Sequence, residues 1–196
     1  MGGTDSLKVL VVDENRGRLA ILKQAIEDAG HQVMTTLNSG SVLSNKVMEL
    51  SPDVIIIDLE SPDRDTLEQM RSISRDNPKP VVMFSDDKKP ESIKEAIESG
   101  VSAYVIDGLN DKRISSLMDV AIARFREYQA LKDELTKAKN TLEERKLIDR
   151  AKGIIMKHKD CDEEQAYKLL RQSAMQNNQR MVEVARNLIA SVNLLG

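Results

Sequence analysis

Five short apolar runs, each separated from the next by roughly a helix, constrain this chain more than any other feature of its sequence. Leu7 to Val12 is broken only by Lys8, the composition of a strand buried on both faces of a parallel sheet. His31–Thr36, Val81–Phe84 and Ala103–Ile106 read as strands too, and Val54–Ile57, four β-favouring residues in succession, is the clearest of the five. The intervening segments carry apolar residues at helical spacing. They are Arg16–Ala29 with Leu19, Leu22 and Ile26 before Gly30, Ser41–Leu50 before Pro52, Thr66–Arg75, and Glu91–Ser99 before Gly100. Strands alternating with helices require right-handed crossovers, so the expected fold of the first half is an α/β, five-stranded, doubly wound parallel sheet.

Such a sheet gathers functional residues at the carboxyl ends of its strands. Asp13 and Glu14 end the first run, Asp58 follows the third and Ser85 follows the fourth. Three carboxylates without a basic partner repel one another. A hard cation such as Mg²⁺, which takes oxygen ligands and keeps its waters, relieves that repulsion. An aspartate beside the metal can then accept a phosphoryl group, because the metal neutralises charge on both reactants. Any one of these acids is ordinary at a strand end; their combination, on the right strands in order, is specific.

From Ile114 to about Leu147 the pattern changes. Ile114, Leu117, Ala121, Tyr128, Leu131, Leu135, Ala138 and Leu142 recur in steps of three and four, with no Gly or Pro between them. That is a heptad seam, and a dimerising coiled coil over 112–147 is expected, with Leu117 to Leu142 as the contact stripe. The alternative is a solvated helix whose first two turns cover the preceding domain. The chain thus divides into 1–111, the long helix 112–147 and a helical module 148–196. In that module Ile148, Ala151 and Ile155 mark one helix. A second starts at the N-cap Asp162 with Gln165 at the capping-box position, and buries Ala166, Leu169, Leu170 and Ala174. Gln176–Gln179 is a turn, and Met181, Val184, Ala185, Leu188, Ile189 and Val192 mark a third helix.

The charge is asymmetric. Residues 1–111 hold 12 Lys and Arg against 20 Asp and Glu, a net of −8, whereas 112–148 and 149–196 carry 9 against 6 and 8 against 6, or +3 and +2. An acidic first half and a mildly basic remainder point to two tasks. Arg150, Lys152, Lys157 and Lys168 are candidates for phosphate contacts, and Arg171 and Arg180 for unpaired bases of RNA. Gly153 lies mid-helix, where Gly costs up to about 1 kcal/mol against Ala. Its expected return is close approach of a backbone, either a packing helix or RNA. A single cysteine, Cys161, excludes an intrachain disulfide. No signal-like opening and no apolar run near the roughly 20 residues of a membrane span are present, so a cytoplasmic protein with no membrane partner is expected. The chain lacks a nucleophile–histidine pair, zinc-ligand spacing and a phosphate-binding glycine loop, which argues against an enzyme.

Residues 6–125 resemble the receiver domain of response regulators, a flavodoxin- and CheY-like fold. The resemblance rests on the Asp13–Glu14 pair, Asp58 within IIIDLESPDRD, Ser85 and Tyr104. It implies Asp58 as phosphoacceptor, Asp13, Glu14 and Asp58 around Mg²⁺, and Ser85 and Tyr104 as switch residues. The family's lysine after the fifth strand is replaced by Asp107, which reverses a charge at the switch and removes the ammonium partner of a phosphoryl group. Residues 142–193 are similar to the ANTAR domain, on the strings IDRAKGIIMKHKDCDEEQAYKLLRQSAM and NNQRMVEVA. The combination looks like the nitrate- and nitrite-responsive, NasT-like branch of ANTAR antiterminators. It implies a homodimer that binds paired stem-loops with six-nucleotide loops in leader RNA and prevents terminator formation. A sensor protein or histidine kinase would supply the signal. The alternatives are a DNA-binding response regulator, disfavoured because no helix–turn–helix recognition helix is visible and no duplex DNA contact is expected, and a protein-partner switch without specific nucleic-acid binding.

Overall fold

A computed structural model describes residues 6–13, 15–37, 43–106 and 113–195. The first half alternates β1 (Lys8–Asp13), α1 (Arg16–Asp28), β2 (Gln32–Leu37), α2 (Leu43–Leu50), β3 (Val54–Leu59), α3 (Arg64–Asp76), β4 (Val81–Ser85), α4 (Pro90–Glu98) and β5 (Ala103–Ile106). All pairings are parallel, in the order β2-β1-β3-β4-β5. This is the expected doubly wound sheet, with the order reversing beside β1. All six residues of β3 are buried, which is why its sequence is continuously apolar rather than alternating.

The two faces of the sheet build two cores. Leu10, Val12, Ile55, Ile57 and Met83 pack with Leu43, Val47, Leu67, Met70 and Ile73 of α2 and α3. On the opposite face Val9, Val11, Ile56, Val82 and Phe84 pack with Leu22 and Ile26 of α1, and with Ile114, Met118 and Ala121. Gly100 turns the chain into β5 at φ +105°, and a Cβ there would lie 2.6 Å from the Ser74 Cβ. Glycine is required at this position both by conformation and by space.

Ile114, Met118 and Ala121 belong to α5, a helix of 46 residues from Ile114 to Lys159. Its first two turns therefore lie in the core of the first compact unit, which spans Met1–Gln129. This corrects the seam expected from sequence. Ala121 is fully buried against the sheet and Leu117 packs on the same cluster, so neither is open to a second chain. Tyr128, Leu131, Leu135 and Leu142 are each more than half exposed, and Ala138 is exposed too. The unpartnered stripe begins at Tyr128.

The second compact unit, Ala130–Gly196, contains the remainder of α5, α6 (Glu163–Gln176) and α7 (Met181–Leu195). Ala151, Leu170, Ala185 and Ile189 form its small core, with Leu147, Ile148, Ile155, Val184 and Leu188 around them. Asp162 caps α6 as expected, its carboxylate accepting the Gln165 backbone N–H at 2.8 Å. No helix among the described residues is long and apolar enough to cross a membrane.

Candidate phosphoacceptor pocket and candidate nucleic-acid interface

At the carboxyl edge of the sheet, Asp13 and Asp58 are register partners on β1 and β3, and both are buried, at 2% and 3% exposure. Asp13 Oδ1 accepts the Asn15 backbone N–H at 2.6 Å. Asn15 in turn caps α1, its side chain accepting from the Gly17 and Arg18 backbone N–H groups. Burial pushes the Asp58 carboxyl up to about 6; the Arg18 guanidinium opposes this, and the charges of Asp13 and Asp86 add to it. Arg18 reaches in from the first turn of α1 and places its Nε 3.5 Å from Asp58 Oδ2. The pocket thus holds a cation of its own. Sequence reasoning missed Arg18, whose only sequence signal was a basic residue one turn into a helix that starts directly after strand-end acids.

Two buried carboxylates on adjacent strands are hard oxygen donors of the kind Mg²⁺ accepts with most of its waters retained. They fit the ion if the Arg18 side chain, one-third exposed, swings aside. Among the described residues no cluster of three or more His, Cys, Asp or Glu side chains is spaced to hold a metal. Glu14 and Asp107, the other two acids expected here, lie outside the described residues.

Ser85 and Tyr104, the described residues expected to act as a switch, both bond to Asp87. Ser85 Oγ donates to the Glu60 carbonyl at 3.0 Å and accepts the Asp87 N–H at 3.2 Å. Tyr104, half-buried, donates its hydroxyl to the Asp87 carbonyl at 2.8 Å. The Asp87 carboxylate accepts from the Lys89 backbone N–H, the Ser92 hydroxyl and the Ser61 hydroxyl. Those bonds, the Lys89 amide first, hold its carboxyl below the usual range. Asp87 therefore ties the β3–α3 connection, the β4–α4 connection, α4 and β5 together. The sequence-stretch SDD after β4 was its only signal.

In the second unit the candidate RNA contacts differ in availability. Lys152 is not free: its Nζ lies 2.7 Å from Asp149 and 2.6 Å from Glu163, with only 14% of the side chain exposed. These ion pairs raise its ionisation above the ordinary lysine range, and it fastens α5 to α6 rather than projecting into solvent. Lys168 pairs with Glu164, and Arg150 donates to Asn193 at 3.3 Å. Arg180 is bridged to Glu144 at 2.7 Å. Lys157 and Arg171 are exposed and, among the described residues, make no ion pair or hydrogen bond. Gly153 is exposed, and a Cβ there would meet nothing within 4 Å. Among the described residues of this chain no packing helix approaches Gly153, contrary to one of the two expectations for it.

The sequence of the chain matches two described families. "Response regulator receiver domain" covers residues 9–119 and "ANTAR domain" covers 136–189. Transcriptional regulatory protein PdtaR of Mycobacterium tuberculosis is 24% identical over 185 residues, spanning 94% of this chain and 90% of the relative. The nitrate regulatory protein of Klebsiella oxytoca is 51% identical over 63 residues, 32% of this chain and 16% of that protein. Among solved structures, the receiver domain of a modulated diguanylate cyclase from Desulfovibrio desulfuricans G20 covers 63% of this chain and 99% of its own, at 18% identity and TM-score 0.55. A LuxR-family DNA-binding response regulator from Staphylococcus aureus covers 59% of this chain and 98% of its own, at 17% identity and TM-score 0.51. At those identities the structural likeness speaks for the fold of the first half alone. The chain belongs to the response regulator receiver family and carries an ANTAR domain behind its receiver.

Proposed function

We propose that this protein is a signal-responsive transcription antiterminator that binds paired stem-loops in nascent leader RNA. The observation that carries the reading is the ANTAR match over 136–189, joined to a receiver on one chain. The exposed, unpaired Lys157 and Arg171 supply cations for backbone and base contacts. The exposed stripe from Tyr128 to Leu142 supports a homodimer. Two linked modules on two linked stem-loops gain avidity without new contacts. The functional division proposed is receiver, long helix and ANTAR module, with the expected limit at 111 extended into α5, because the receiver core includes α5 as far as Ala121.

The input side works mainly through protein contacts. Its support is the Arg18 guanidinium already seated on Asp58 and the Asp87 hub already holding Ser85 and Tyr104. A sensor protein is the favoured partner; Asp13 and Asp58 would be the residues to hold Mg²⁺, with the Arg18 side chain displaced from Asp58. Titration with beryllofluoride and Mg²⁺ tests this: a saturable change in oligomeric state or RNA affinity, abolished in Asp58→Ala, would overturn it.

The central test is binding of the full chain to an RNA with two hexaloop hairpins, against a loop-scrambled control and duplex DNA. Loop-dependent RNA binding is the expected result. Equal, salt-erased binding to all three reduces the basic half to a nonspecific patch, and preference for duplex DNA favours a DNA-binding regulator.

A further inference from the structure

We propose that the cleft at the α6–α7 corner seats a single unpaired nucleobase and reads its edge, a role that rests on the RNA-binding reading above. The cleft, about 420 Å³, is lined by Arg171, Ala174, Met175, Asn178, Gln179 and Arg180. That lies within the range of clefts that take small ligands, about 300–1,000 Å³.

Three features separate this corner from an ordinary solvated turn. The first is a set of planar polar groups with nothing to do. Among the described residues the side chains of Arg171, Asn178 and Gln179 make no hydrogen bond or ion pair. The neighbouring Asn177 shows the contrast: its carboxamide is consumed within α6, donating to the Ser173 carbonyl at 2.9 Å. The second is rigidity. Asn178 adopts φ +51°, and the turn is closed by the Asn178 N–H on the Met175 carbonyl at 3.3 Å and the Gln179 N–H on the Ala174 carbonyl at 3.0 Å. The two carboxamides are therefore presented from a fixed backbone. The Arg180 guanidinium is likewise held, by Glu144 at 2.7 Å. The third is an apolar surface amid the polar groups. Ala174 is 6% exposed at the base of the cleft, while Met175 is 71% exposed, the highest value of any large apolar side chain among the described residues. A polarisable thioether makes favourable contact with an aromatic ring.

The chemistry selects a base over a phosphate. A phosphate site gathers cations and backbone N–H groups, whereas here Glu144 offsets one of the two guanidiniums and the other lining polar groups are neutral carboxamides. A carboxamide presents a donor and an acceptor side by side, matching the paired donor and acceptor of a base edge, and a free guanidinium matches two adjacent acceptors. Bases splayed out of RNA loops offer those edges together with a face to stack.

The test uses the full chain and hairpin RNAs with a randomised six-nucleotide loop. Wild-type protein selects a preferred loop, and each base of that loop is then replaced in turn by an abasic site. One position is expected to lose about tenfold or more in affinity when abasic, the scale of a bidentate base contact. Asn178→Gly, which keeps the left-handed turn, Gln179→Ala and Arg171→Lys, which keeps the charge, should each lower affinity for the intact loop. Each should also reduce the penalty of the abasic site at that one position and at no other, because the variant and the abasic RNA remove parts of the same contact. Thermal unfolding of the variants should match wild type, since all three side chains are exposed and unbonded. Variants that retain wild-type sensitivity at every abasic position overturn the cleft assignment while leaving RNA binding intact. A wild-type protein that selects no loop overturns the RNA-binding reading itself, and the cleft with it.

Discussion

Asp58 is held protonated more readily than an ordinary aspartate because it is buried beside Asp13 and Asp86, with Arg18 only partly compensating. Its folded value, about 6, exceeds the ordinary 3.8. The folded state therefore binds the proton more tightly, and stability falls as pH rises from about 4 through about 6. Asp58→Asn should raise unfolding stability at pH 7 on the order of 1–2 kcal/mol, the advantage vanishing below pH 4 in urea titrations. Saturating Mg²⁺ should narrow that gap by stabilising the wild-type carboxylate. Gly153 supplies a second prediction at this scale. With open space at its Cβ and an exposed helical position, Gly153→Ala should stabilise the free protein by about 0.5–1 kcal/mol. Loss of hairpin-RNA affinity in the same variant would identify the glycine as a point of backbone approach; the stability half is read by calorimetry. The placement of Asp13, Asp58 and Ser85 at one edge was legible in sequence, since strand ends in a doubly wound sheet converge; Tyr104, inside β5, was singled out only by the resemblance to receivers. Arg18, Asp87 and the burial of Lys152 were not, because each depends on where a side chain several residues away along another element reaches.

At the scale of elements, all five strands and the helices between them could be read from apolar runs and their stops, with ends displaced by a residue or two. The exception in kind is the opening of α5. A helix lying on a sheet and a helix lying on another helix both require apolar residues in steps of three and four, so periodicity reveals a buried stripe without naming its partner. Only the contacts of Ile114, Met118 and Ala121 with Val9, Val11 and Phe84 divide the stripe into a core portion and an exposed portion. The two portions should respond differently. Met118→Ala should destabilise the receiver by about 2–5 kcal/mol in denaturant unfolding, as large-to-small changes in cores do. Leu131→Ala with Leu135→Ala should leave receiver unfolding unchanged and lower the mass seen by sedimentation equilibrium. A dimer of unaltered affinity would exclude this stripe as the interface.

For the molecule as a whole, acidic and basic halves, a receiver match and an ANTAR match coincide with two compact units that divide at Gln129 and Ala130. The architecture was legible because each half carries its own periodicity and charge; the position of the division was not, since α5 runs through it without a Gly or Pro. The Asp87 hub adds a constraint on input. Ser61, Ser92, Tyr104 and Ser85 are all bonded to this one residue, so a rearrangement of Asp87 would break those bonds as a set.

The burial of the first turns of α5 also governs how such a chain can be recombined. A receiver cut at residue 111 loses Ile114, Met118 and Ala121, and the face of its sheet carrying Val9, Val11 and Phe84 is left uncovered. It should aggregate or melt early, whereas one cut at 129 should unfold cooperatively in a thermal melt. Exchange of output modules among proteins built this way should therefore be tolerated at junctions inside the long helix beyond Ala121, and not at a junction placed ahead of Ile114.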